Sequence, residues 1–151
     1  MTSARQLPTA ARRGLATLGL AGLALQLGAC MQLPVYHLPE GQAKAQLRTT
    51  AAPGTPTLCV NHVNQRLWPD SQDLADIPAG SQVSVGTIYQ AGDGRVTYTC
   101  KPQVGFTPQA GQRYISVLLV KSSACVVQVL RESPDTPTGL DWEPSLRRSD
   151  C

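Results

Sequence analysis

The chain has 151 residues, with 13 Lys and Arg against 10 Asp and Glu and a formal net charge of +3. Arg5, Arg12 and Arg13 supply the whole excess and lie within the first 29 residues, so the rest of the chain is charge-balanced and offers no basic footprint for nucleic acid. Five cysteines without a CxxC pair, and no histidine at finger spacing from any of them, argue against zinc, and no metal or other cofactor is expected.

Residues 1–29 have the three regions of an export signal: the arginines, an uncharged apolar run from Gly14 to Ala29, and small residues at its end. As a helix that run would span about 24 Å, short of the roughly 30 Å hydrocarbon core, so a cleaved signal is favoured over a permanent anchor. Leu27-Gly28-Ala29-Cys30 resembles the lipobox of bacterial lipoproteins. The resemblance implies that the Cys30 thiol receives a diacylglycerol, that the peptide is cut just before it, and that the new amine is acylated. Several acyl chains anchor stably where one would be marginal. Met31 stands where an aspartate would retain such a protein at the inner membrane. Its resemblance to the sorting pattern therefore implies the outer membrane, facing the periplasm.

Residues 30–56 carry four prolines, repeated Ala, Gly and Thr and no clear period, and read as a tether between lipid and domain, with at most a transient helical turn in AKAQLR. The folded domain is expected over 57–131. TLCVNHV (57–63), SQVSVGTIYQ (81–90), RVTYTCK (95–101), QRYISVLLV (112–120) and ACVVQVL (124–130) alternate or cluster β-branched and aromatic residues. Asp93-Gly94 and the KSS segment before Ala124 mark two hairpins. SQDLADI (71–77) offers one helical turn at most. The expected fold is all-β: a small, antiparallel, immunoglobulin-like sandwich or open barrel of about six strands. A domain of this size buries only about 60% of its unfolded surface and calls for staples.

Cys59, Cys100, Cys125 and Cys151 are expected to form two disulfides in an exported chain. Val96, Tyr98 and Cys100 share one strand face, and Cys125, Val127 and Val129 another. If Pro102 breaks the strand so that 95–101 and 112–131 occupy different sheets, Cys100 pairs with Cys125, and Cys59 with Cys151 pins the polar tail 132–151. If 95–107 runs as one strand, Cys100 and Cys125 would flank a strand at about 10 Å, beyond disulfide reach, and Cys59–Cys125 is favoured.

IPAG (77–80), the C-x5-F-T-P-x-x-G-x-x-Y run of Cys100, Phe106, Thr107, Pro108, Gly111 and Tyr114, and Cys125 in a hairpin resemble a group of uncharacterised proteobacterial lipoproteins. The resemblance covers about residues 75–130 and implies a β-sandwich envelope lipoprotein. YTC (98–100) and AGQRY (110–114) also resemble the paired motifs of periplasmic lysozyme inhibitors, which would imply a loop entering a lysozyme cleft. That family has Ser where Ala110 stands and a longer interval between the motifs.

Candidate chemistry is sparse. His62 has Asp70, Asp73 and Asp76 downstream, but no nucleophile motif or fixed spacing joins them, and no DxDxDG calcium pattern occurs. His62 is expected to be a bonded strand-edge residue and the aspartates a solvated loop. Trp68 and Trp142 are expected to cap the open end of the core. No catalytic residue is assigned and no enzymatic activity is expected. The expectation is an envelope module anchored through Cys30, structural or contacting another envelope protein or the cell wall.

Overall fold

In a computed structural model, residues 32–49, 54–92, 94–121 and 124–151 are described. Cys30 and residues 1–29, read above as an export signal, lie outside them. The described residues contain eleven strands and no helix. In chain order these are β1 (Lys44–Thr49), β2 (Thr55–Val60), β3 (Val63–Arg66), β4 (Leu74–Pro78), β5 (Val83–Gly92), β6 (Thr97–Cys100), β7 (Gln103–Phe106), β8 (Arg113–Lys121), β9 (Ala124–Glu132), β10 (Leu140–Trp142) and β11 (Arg147–Arg148). They form two open sheets, ordered β10-β9-β8-β1-β4 and β11-β7-β5-β2-β3, with β6 also on β5. The architecture is the expected small β-sandwich, but with eleven strands where about six were expected, because β1, β4 and the short β10 and β11 give no clear strand period in the sequence. The named strands are antiparallel except for the parallel β1–β8 pair.

The core follows from period-2 alternation. Leu47 on β1, Leu58 on β2, Ile77 on β4, Val83 and Val85 on β5, Phe106 on β7, Tyr114 on β8 and Val129 on β9 are each at most 1% exposed. Burying a side chain of this size contributes about 1.5–3 kcal/mol.

The FTP-x-x-G-x-x-Y run turns the chain from one sheet to the other. The Phe106 and Tyr114 rings meet edge to face at 5.1 Å, Gly111 takes φ +76°, and the Gln109 amide donates to the Tyr114 hydroxyl at 2.9 Å. A tyrosine hydroxyl bonded to backbone a few residues upstream is a recurrent corner device of β-sandwiches. The IPAG turn docks here: Gly80, at φ +81°, donates its amide to the Pro108 carbonyl at 2.8 Å.

Several expectations change. Residues 30–56 are not simply a tether. Val35 bridges to Arg66, and β1 sits between β8 and β4 with Ala45 and Leu47 each 1% exposed. The compact unit therefore begins at Leu33 rather than 57 and runs to Cys151. The segment 71–77 contributes a strand rather than a turn of helix, because Ala75 and Ile77 pair across β1 and enter the core. The strand expected over 57–63 is a hairpin: Asn61 and His62, at φ 51° and 63°, form a two-residue turn between β2 and β3. Positive φ at both central residues matches the right-handed strand twist. The sequence hid this because His stands where Gly is usual.

The tail is more than a disulfide-docked extension. Its β10 pairs with β9 in one sheet and its β11 with β7 in the other. It therefore crosses one open side of the sandwich, as the 67–73 connection from β3 to β4 crosses the opposite side. Glu143, 3% exposed, braces the crossing. Its Oε1 accepts from the Ser145 amide at 2.9 Å and from the Ser145 hydroxyl, whose oxygen in turn accepts the Thr107 amide at 2.9 Å.

Both disulfides take the first expected pairing, Cys59–Cys151 and Cys100–Cys125, with Cα separations of 6.2 and 6.5 Å. The reason differs from the sequence argument. β6 and β7 pair with β5 in a single register, from Val83 opposite Phe106 to Gly92 opposite Thr97. Pro102 thus interrupts the ladder without moving the chain to another sheet. The change of sheet comes later, at the 107–112 turn. Cys100 therefore faces Cys125 across the sandwich, where the apolar filling thins toward Val96, which is 71% exposed.

Candidate interaction surface

The described residues present two aromatic-bearing surfaces. The first lies where the chain enters the fold. Arg66 of β3 donates its amide to the Pro34 carbonyl at 2.8 Å, and Tyr36 donates back to the Arg66 carbonyl at 2.9 Å. This adds a short parallel rung outside β3, which is otherwise the edge of its sheet. Two residues on, Trp68 is 69% exposed, with the Arg66 guanidinium carbon 4.9 Å from its ring centroid. A cation over an indole face is attractive by about 0.5–1 kcal/mol at an exposed site. The expectation that Trp68 caps the core fails because the neighbouring Leu67, 3% exposed, takes the inward position.

Trp68 forms one wall of an open groove of about 560 Å³, shared with Lys44, Gln46, Asp70 and Asp76. Lys44 Nζ lies 2.7 Å from Asp76 Oδ2, a partly solvated pair contributing at most about 1 kcal/mol. Asp70 is turned into its own loop: Oδ1 accepts the Gln72 and Leu74 amides at 2.8 and 3.0 Å. The loop thus uses this carboxylate as a brace for the Pro69–Leu74 bend, with Asp73 at φ 59°.

The second surface is the outer face of β8, β9 and β10. Val127 and Val129 are buried, so alternation turns Val126 and Leu130 outward on β9 and Ile115, Val117 and Leu119 outward on the paired β8. Trp142 lies opposite Leu130 on the same face, 64% exposed, and does not cap the core. The tail's inward place is filled by Glu143 instead. This stripe was hidden in the sequence because apolar runs in β8 and β9 read equally well as strands buried on both faces.

His62 sits in the β2–β3 turn, where Nδ1 donates to the Asp150 carbonyl at 3.0 Å. The ring helps fasten the tail and is not brought to a serine or to Asp70, Asp73 or Asp76 by any hydrogen bond among the described residues. Asp150 also accepts from the Ser84 hydroxyl at 3.1 Å, so the tail end covers the outward face of β2 and β5 and leaves Cys59 2% exposed. Among the described residues no group of three His, Cys, Asp or Glu is placed to hold a metal ion. A cavity of about 220 Å³ at the other end of the sandwich carries Thr49, Asp73, Thr87 and Ser116 among apolar residues, with no histidine or lysine. No described helix is long and apolar enough to cross a membrane.

No family model, no curated protein and no solved structure matches this chain.

Proposed function

We propose that the protein is a lipid-anchored, non-enzymatic interaction module of the bacterial cell envelope. In this reading residues 1–29 direct export, Cys30 carries the lipid, and the sandwich from Leu33 onward meets another envelope component. The observation that supports it best is the cysteine pairing. Cys59–Cys151 and Cys100–Cys125 use four of the five cysteines, which suits an oxidising compartment and leaves Cys30 as the one without a disulfide partner. That cysteine is also the one that ends a basic and then apolar N-terminal run. Met31 after it favours the outer membrane, facing the periplasm.

His62, Asp70 and Asp76 are spent on the tail, the loop bend and Lys44, which supports a binding rather than a catalytic role. The lysozyme-inhibitor reading, which needs a protruding loop at 110–114, draws less support from this turn. The 110–112 turn is held to β1 by the Gly111 amide on the Lys44 carbonyl at 2.8 Å, and Tyr114 is fully buried. Metabolic labelling with a palmitate analogue in a bacterial host tests the anchor. The wild-type chain takes the label, while Cys30→Ala loses it and accumulates as uncut precursor. Equal labelling and fractionation of the two would refute Cys30 as the acceptor.

A further inference from the structure

The geometry points to the Trp68 edge as a membrane-facing surface, with the Trp68 indole seated among the lipid headgroups. The inference rests on the reading of Cys30 as the lipid-bearing residue and adds to it an orientation. Only Met31, Gln32 and Leu33 separate Cys30 from Pro34, whose carbonyl is already hydrogen-bonded to Arg66. Five residue steps from Cys30 to Val35 reach at most about 18 Å even when fully extended. A 26-residue tether would let the sandwich turn freely above the bilayer. A link this short brings the β3 side down with the lipid.

That side carries an interfacial side chain. Trp68 follows Arg66 by two residues, on the same edge but past Arg66 and away from the Cys30 link, because the Val35–Arg66 rung is parallel. It meets the headgroups when this edge lies along the bilayer, is 69% exposed, and has the Arg66 guanidinium over its ring. Tryptophan gathers at membrane–water interfaces because its ring is apolar and its N–H can remain hydrogen-bonded, and arginine beside it can reach the phosphates. The two acids that share the groove are partly neutralised or engaged: Asp76 is paired with Lys44, and the Asp70 carboxylate bonds its own loop. The attraction is therefore interfacial rather than a net-charge effect. Trp142 lies on the far side, since β10 and β4 are opposite edges of one sheet, four strand spacings or about 19 Å apart.

The two tryptophans supply a paired test. Full-length protein, exported and processed in a bacterial host, is purified from membranes as Trp142→Phe, leaving Trp68, and as Trp68→Phe, leaving Trp142. Intact mass first establishes the acyl groups. Each variant is then placed in phosphatidylcholine vesicles with brominated acyl chains, and emission is compared with that in unbrominated vesicles. Bromolipid is expected to remove about half or more of the Trp68 emission and to leave the Trp142 emission almost unchanged, with the same result at high salt. Acylated protein whose Trp68 is quenched by aqueous acrylamide but not by bromolipid would overturn the orientation and leave the anchor standing. Quenching of Trp142 instead would put the β8–β10 face on the lipid and equally overturn it. Unacylated protein would overturn the anchor, and the orientation with it.

Discussion

The Tyr114 hydroxyl accepts the Gln109 amide while its ring meets Phe106, so one side chain joins both sheets and fixes the turn between them. Burial raises its pKa above the ordinary value of about 10. The Gln109 amide opposes that shift, the Glu143 carboxylate adds to it and Arg131 opposes it. The unfolded chain therefore gives up this proton first as the solution becomes alkaline. The stability held by the neutral phenol is complete below about pH 10 and is lost as pH rises through the folded-state value. Tyr36, raised by burial as well, acts in the same direction. Tyr114→Phe is expected to cost about 0.5–1.5 kcal/mol at neutral pH and to flatten the decline above pH 10, as read from urea melts. An unchanged alkaline slope would show that Tyr114 does not govern it. Tyr114 is legible in the sequence because Pro108 and Gly111 mark a turn there and Phe106 and Tyr114 flank it. Glu143 was not legible, because a carboxylate in a Pro-rich segment gives no sign that a serine and a backbone amide will enclose it.

Among the elements, β5, β8 and β9 were legible as long β-branched runs, and their two hairpins as turns rich in Gly or Ser. The strand β1 was not. KAQLRT alternates Ala45 and Leu47 with Lys44, Gln46 and Arg48, but alanine favours strands weakly, and its parallel partner β8 lies about 70 residues away. Such non-local pairing leaves no local trace. The tail was half legible: Cys151 promised a staple, while three-residue β10 and two-residue β11 are too short for a period to register. This changes what the Cys59–Cys151 bridge is expected to do. Residues 140–142 pair with β9 over three residues, whereas β11 pairs with β7 over only two and lies next to the bridge, so replacing both cysteines by serine should expose mainly 147–151, together with the Asp150 contacts to Ser84 and His62. Amide hydrogen exchange should show protection lost at β11 and retained at β10. Equal loss at both would mean that the tail is one cooperative unit hung on the disulfide.

For the whole molecule, two sheets leave two open sides, and each is crossed by a segment the sequence placed outside the strands: 67–73 and 132–146. Each crossing projects a tryptophan outward and buries a neighbour, Leu67 beside Trp68 and Glu143 beside Trp142. The sandwich, its staples and its corner follow from cysteine count, alternation and turn chemistry. The surfaces do not, because the side of a strand that meets solvent depends on partners far away in sequence. Anchoring at Cys30 is the central claim, and its most direct test is mass mapping of a non-reduced digest of the protein taken from host membranes. The account predicts an N-terminal peptide beginning at diacylglyceryl-modified Cys30, with Cys59 joined to Cys151 and Cys100 to Cys125. A Cys30 found unmodified, or joined by a disulfide to any of the other four cysteines, would contradict it.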